Sequence, residues 1–441
     1  MPVIRPFRAL RYAPDVAGDI GRLIAPPYDV IDEAERQMLL ARDPRNVVRL
    51  DLPTEEVGDR DPDDRYRRAA RTLGTWRGEG ALRQDPRPAV YAYEQEFRMP
   101  GADGTRVRRG FFARVGLEPF GRGIRAHERT LPGPREDRYR LLRATNVNTS
   151  PVVAIYEDGT HRVAPALDGV AAGRPTVEAL DAVGDIHRLW VLPAATDGRA
   201  ETLVTAAAAV PLTIADGHHR YETALRYWAE QRVGVRDSED GERGADFVLA
   251  LLLEPAAGPL LVLPTHRVVR RLGEVRLEEL WRGLRQAFDV EEPIGRDELV
   301  ERFGRPAGAD TGGAGRFGLW TRDGGAILHV RRPAIEPFLP PAGPALRRLD
   351  VAVLGAALEA FAGLDPDTVA AGERLSYTKD AAEAIALVDA EADGADAAFL
   401  LDATPAGEII AVAAEGDVMP QKSTYIYPKA ITGLVMNLLE G

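Results

Sequence analysis

A mixed α/β fold in two parts (α+β elements on a mixed sheet) is what this sequence predicts, and three observations predict it. Apolar runs of strand length, at 210–214 and 247–253, alternate with amphipathic runs of helix length such as 221–232. The chain has 441 residues, more than one simple core accommodates. Its texture changes near 268–273, where apolar strand-like runs give way to periodic charged helices and a Pro-rich stretch. The expected division is therefore 1–270, holding the main chemistry, and 271–441, a second α/β part.

The elements follow in order. Asp32 reads as the N-cap of a helix through Ala41, with Glu35 three residues on completing a capping box. A second, Arg-rich helix is predicted over 61–78. The alternation at 89–98 is that of a strand, 101–104 is a turn, and 107–117 returns as the partner strand. Further strands are expected at 152–156, 186–192, 247–253 and 260–263. Beyond the boundary, 277–288 and 298–303 read as helices and 317–330 as a hairpin folding at Asp323-Gly324-Gly325. The stretch 333–344 is Pro-rich and reads as a linker or extended loop, 350–361 and 381–386 read as helices, and 397–401 as a strand; 408–414 gives no clear pattern.

Composition excludes several classes. There is no cysteine, which removes disulfides, thiolate nucleophiles and Cys-based metal sites together. A net charge of −12 argues against a general nucleic-acid binder. No apolar run reaches membrane-span length, and the first residues lack a signal-peptide pattern, so a cytoplasmic protein is expected. Of 56 basic side chains only three are Lys, namely Lys379, Lys422 and Lys429. Where Arg replaces Lys wherever it will serve, surviving Lys mark positions that need a point-like ammonium.

The densest chemistry is Ala215-Asp216-Gly217-His218-His219-Arg220, set between a predicted strand and a predicted helix. A Gly turn that opens a helix points unpaired N–H groups at one spot and favours an anion there. Arg220 adds a planar fork suited to phosphate oxygens, and His218 and His219 add donors or proton carriers. Adjacent helical residues point roughly 100° apart, so the two imidazoles are not expected to grip one metal. Two other segments share this density. His127-Glu128 opens a charged loop running to Arg138, and Lys422-Ser423-Thr424, with Lys429 beyond, has the residue types of a phosphate cradle without P-loop glycines. His266-Arg267 ends an apolar strand, where ligands gather in open α/β sheets. His187 reads as a structural histidine.

Five blocks carry a family resemblance: Arg5-Pro6-Phe7-Arg8-Ala9-Leu10-Arg11-Tyr12, Ala25-Pro26-Pro27-Tyr28-Asp29-Val30, and the segments 127–138, 214–224 and 419–429. Together they resemble the bacterial and archaeal family catalogued as domain of unknown function 1015, which carries no established activity. Asp216-Gly217-His218-His219-Arg220 followed by Ala224 is also similar to the Gly-x-x-Arg-x-x-Ala box of the ParB/sulfiredoxin superfamily, nearest its free-serine kinases. That resemblance implies a ParB/sulfiredoxin-like core with large insertions. It implies phosphate contacts from Gly217, His218, His219 and Arg220, and support of a metal or of the loop by Asp216. Sulfiredoxin chemistry needs a cysteine and is excluded here. The partition-protein reading meets an acidic chain with no evident helix-turn-helix.

The resulting expectation is a phosphotransferase moving a phosphoryl group between ATP or ADP and a small hydroxyl compound such as free L-serine. Mg²⁺ would be held partly by Asp216. Glu128, nominated from local chemistry, would act as base, with His127, His218 and Asp216 beside it. Gly217, His218, His219, Arg220, Lys422, Ser423 and Thr424 would bind the nucleotide. A phosphatase or phosphodiesterase using the same anion site, or a nucleotide-binding regulator without turnover, are the alternatives. The partners implied are a nucleotide and a small molecule, with a homodimer allowed.

Overall fold

The computed structural model describes residues 1–99, 104–128, 132–232, 242–304, 315–365, 368–369, 372–390 and 394–440. Within it a nine-stranded sheet runs in the order Ile124–Arg125, Leu212–Asp216, Val152–Ile155, Phe247–Leu253, Thr105–Gly116, Ala89–Arg98, Ile186–Pro193, Val177–Leu180. Ile4–Arg5 adds alongside Thr105–Gly116. The sheet is mixed: Phe247–Leu253 is parallel to Val152–Ile155, and Leu212–Asp216 is parallel to Ile124–Arg125. The remaining neighbours are antiparallel.

The continuous apolar run of Phe247–Leu253 has a direct cause. Successive side chains point to opposite faces of a sheet, and both faces here are covered. Leu249, Leu251 and Leu253 enter one core, while Val248, Ala250 and Leu252 enter the other. Helices Val163–Ala171, Gly198–Ala208 and His218–Gln231 cover the second face through Leu167, Leu203 and Tyr221. The amino-terminal elements cover the first, including Leu73 and Trp76 of helix Asp64–Gly78. Asp32 caps helix Glu33–Arg42 as expected, its carboxylate accepting from the Glu35 N–H at 2.8 Å.

A six-stranded sheet, Phe288–Ile294, Gly324–Val330, Arg316–Thr321, Ala397–Leu400, His266–Val269, Leu375–Thr378, forms the second part. The division expected at residue 270 does not follow the strand pairing. His266–Val269 belongs to the second sheet, and the last segment returns to the first part. There Tyr425–Tyr427 pairs with Leu261–Leu263, and Asn437–Leu438 pairs with Val147–Asn148. The stretch 333–344 is not a linker. Arg332–Ile335, Glu336–Phe338 and Pro344–Arg348 are short helical turns that bury Ile335, Leu339 and Leu346, with Pro at the first turn where its missing N–H costs little. Residues 406–414, left open by the sequence, form helix Ala406–Ala414. The turn expected at 101–104 falls mostly outside the described residues. Among the described residues no helix is long and apolar enough to cross a membrane.

Candidate functional site

The strand Leu212–Asp216 leads directly into the helix His218–Gln231 through Gly217. Gly217 has φ +85°, a left-handed conformation, and a Cβ there would stand 2.9 Å from Arg220 Nε. Only glycine takes this turn without strain and a clash. The pairing of this strand with Val152–Ile155 slips between Ile214 and Asp216, a bulge that re-aims the strand end. Ile124–Arg125 runs parallel beside it, so the chain leaves both strands at the same edge and brings His127 and Glu128 next to Asp216 and Gly217. The returning carboxyl-terminal segment then docks on Glu128, with a Glu128–Met419 bridge and a 2.7 Å bond from the Met419 N–H to the His127 carbonyl.

These elements enclose an open cavity of about 370 Å³. Its walls are Tyr28, Asp29, Val30, Glu128, Ala215 to Arg220, Gln421, Lys422, Thr424, Tyr425 and Lys429. The size is that of an ordinary small-molecule site. The cavity meets the opening turn of a 14-residue helix that has no side-chain cap and no acidic residue in its first turn. Its free N–H groups therefore remain available to an anion.

Asp216 anchors the floor. One carboxylate oxygen accepts from Arg220 Nη2 at 2.6 Å and the other pairs with Lys429 Nζ. Burial would push this carboxyl up, but Lys429 and Arg220 outweigh it and hold it well below the usual carboxylate range. Arg220 also donates to Ser150 Oγ (2.6 Å) and to the Pro151 carbonyl. Lys429 is set in place from below: the buried Arg108 donates to the Pro428 carbonyl at 2.8 Å and to Gln95 Oε1 at 2.7 Å.

Among the described residues Glu128, unlike Asp216, has no Lys or Arg side chain paired with it. It accepts the Lys422 backbone N–H at 2.7 Å, and burial pushes its pKa up to about 7, with Lys422 and Lys429 only partly opposing. A carboxyl so tuned can take a proton at neutral pH. Asp29 stands exposed on the opposite turn, Tyr28–Val30.

Several expected roles are corrected by this geometry. His127 is 1% exposed and is absent from the cavity wall. Its Nδ1 meets the Ile214 carbonyl and its Nε2 meets Thr424 Oγ1 at 2.9 Å, so it braces the strand ends and does not reach a ligand. Burial depresses it to about 4. His218 lines the wall, yet its Nε2 accepts the His127 backbone N–H at 3.3 Å and burial holds it neutral. That leaves no free acceptor nitrogen for proton transfer. His219 lines the wall half-buried, and its Nδ1 is buried with no hydrogen-bond partner among the described residues. Ser423 turns away, 2% exposed and donating to the Pro420 carbonyl at 2.5 Å, while Lys422 and Thr424 do line the cavity.

A metal role was expected of Asp216, and the structure places its carboxylate between two basic side chains. Both of its oxygens are committed to cations, and among the described residues no group of three or more His, Asp or Glu side chains is placed to hold an ion. His266 and Arg267 lie buried inside a strand of the second sheet, away from the cavity, with His266 Nδ1 accepting the Leu401 N–H at 3.2 Å. His187 is structural as expected, bonded to Tyr93 OH at 2.7 Å and to Asp181 at 3.2 Å. Arg129, which shares the charged loop with Glu128, lies outside the described residues. Sequence reasoning gave no site role to Tyr28 and Asp29, quoted there only within a block of family resemblance, or to Ser150.

The model of a family described as "Protein of unknown function (DUF1015)" matches residues 4–352. No curated protein matches the chain. Among solved structures, a conserved hypothetical protein from Pyrococcus furiosus aligns at 14% identity and TM-score 0.35, over 72% of this chain and 92% of its own. A free serine kinase in complex with AMP aligns at 12% identity and TM-score 0.34, over 69% and 83%. SbnI with a carboxyl-terminal truncation, from Staphylococcus aureus, aligns at 11% and 0.35, over 74% and 87%.

Proposed function

The chain belongs to the DUF1015 family of unknown function, and from the cavity it carries we propose that it transfers a phosphoryl group between a nucleotide and a small hydroxyl compound. One observation carries the reading. A carboxyl tuned to about 7 shares one cavity with an uncapped helix start and two lysines. The helix N–H groups, Lys422, His219 and the Arg220–Asp216–Lys429 cluster supply a preorganised field for phosphate oxygens. Glu128 takes the proton from the acceptor hydroxyl as its oxygen attacks phosphorus. The new O–P bond forms while the bond from phosphorus to the nucleotide's bridging oxygen breaks, and the electron pair leaves with the nucleotide. The ParB/sulfiredoxin-like box at Asp216 to Arg220 agrees with this assignment. ATP and ADP are the donors to test first and free L-serine the first acceptor. No step is assigned to a protein-held Mg²⁺, because the chain presents no cage for it among the described residues.

The test is ³¹P NMR of the full chain with ATP or ADP, Mg²⁺ and a panel of hydroxyl compounds headed by serine. A phosphorylated acceptor is expected, and Glu128→Gln should slow its formation roughly 10²- to 10⁴-fold, the range for loss of a general base. Full activity in Glu128→Gln overturns the assignment. Release of inorganic phosphate with no phosphorylated acceptor overturns it in favour of hydrolysis.

A further inference from the structure

We propose that Lys379, carried by the second sheet, completes a three-lysine clamp with Lys422 and Lys429 for the polyphosphate tail of the nucleotide. This rests on the nucleotide reading of the cavity given above. Lys379 follows directly on Leu375–Thr378, the edge strand of the six-stranded sheet. Its Nζ lies 3.9 Å from the ring centre of Tyr425, and Lys429 Nζ lies 4.4 Å from the same ring. Tyr425 is a wall of the cavity, as are Lys422 and Lys429. Two of the three lysines of a chain that otherwise uses arginine thus line the cavity, and the third, Lys379, stands against its wall at Tyr425. A compact ammonium there can turn its three N–H groups toward whichever phosphate oxygen arrives.

Acids share the cavity wall, Asp29, Glu128 and Asp216, but direct ion pairing among the described residues reaches only one of the three lysines. Lys429 is neutralised by Asp216, but among the described residues neither Lys379 nor Lys422 has a salt-bridge partner. Burial and then Lys429 push the Lys379 ammonium below its ordinary value; Lys422 adds to this, and Glu383 and Asp29 oppose it. Lys422 holds a left-handed backbone, φ 57°, with its N–H tied to Glu128. A non-glycine residue kept there is paid for by its surroundings and is typical of ligand clamps. Two ammonium groups without a direct ion pair, gathered beside a third, are relieved by a polyanion. An aromatic ring flanked by cations would by itself explain Lys379 and Lys429 as a brace. It would not explain Lys422.

The experiment is calorimetric titration of the full-length wild type, Lys379→Met and Lys379→Gln with AMP, ADP, ATP and inorganic tripolyphosphate. For wild type, affinity is expected to rise from AMP to ATP. In both variants ATP and tripolyphosphate should weaken roughly 10- to 100-fold, the scale of a lost charge-assisted hydrogen bond, with AMP changed less than about twofold. ATP binding at wild-type strength in the variants overturns the clamp and leaves the nucleotide reading standing. Equal weakening for AMP and ATP overturns it too, and assigns Lys379 to bracing Tyr425. Tripolyphosphate binding that the variants weaken, with AMP, ADP and ATP all failing to bind wild type, overturns the nucleotide reading and the nucleotide clamp with it.

Discussion

Replacing Glu128 by Gln should stabilise the protein at pH 8 while abolishing proton uptake. The Glu128 carboxyl is raised from 4.5 to about 7, so the folded chain keeps its proton longer than the unfolded chain does. Stability therefore falls as pH rises between these values and is level on either side. The penalty above pH 7 amounts to about 3 kcal/mol at 1.36 kcal/mol for each tenfold change. Glutamine carries no such penalty, and its carbonyl can still accept the Lys422 N–H. The variant should match wild type near pH 4.5 and exceed it by about 2–3 kcal/mol at pH 8. Urea unfolding of both proteins at the two pH values measures the difference. A variant no more stable at pH 8 than at pH 4.5, relative to wild type, would refute the claim that burial holds this carboxyl protonated. Phosphoryl transfer by wild type should rise with the same titration, since the base must first lose its proton.

Two further outcomes follow from the cavity floor. Asp216→Asn leaves Arg220 and Lys429 facing each other without their shared counter-charge, and should cost about 3–5 kcal/mol at pH 7 by denaturant unfolding. Because the folded Asp216 is depressed, its contribution is present above the unfolded carboxyl value and fades as pH falls, so the two proteins should converge in acid; a gap that stays constant into acid counts against the ion cluster. Gly217→Ala should cost roughly 1–2 kcal/mol for the left-handed backbone alone, and should also weaken nucleotide binding as the added methyl displaces Arg220. An alanine protein that melts and binds like wild type would show that the turn tolerates a side chain.

The parts of the molecule that were legible from sequence are those governed by nearest neighbours. Strand, glycine and helix at 212–231 follow from an apolar run, a positive-φ residue and an amphipathic repeat, all local. The strands Ala89–Arg98 and Phe247–Leu253 were legible to the residue for the same reason. Direction was not. Whether His127 and His218 face a ligand or each other depends on the parallel alignment of Ile124–Arg125 with Leu212–Asp216, a contact between residues nearly ninety positions apart. The buried turns at 332–348 escaped because proline at a helix start and proline in a loop look alike until Ile335 and Leu346 find a core. The scarcity of lysine did point to the site, through a substitution bias and without any pattern of spacing. Asp29 had no such marker, and only the fold brings its turn against Lys422 and Lys429.

The last stretch of the chain returns to the first part, pairing with Leu261–Leu263 and Val147–Asn148 in two small sheets, and this sets an order on how the cavity is completed. A ribosome that has completed residue 410 has already specified the helix start, Glu128 and Asp216, yet Lys422 and Lys429 are still unmade. Asp216 and Arg220 must wait, as an unfinished pair, for a partner encoded more than two hundred residues later. A chain that stops short of residue 422 therefore lacks Lys422, Thr424, Tyr425 and Lys429, and with them one wall of the cavity.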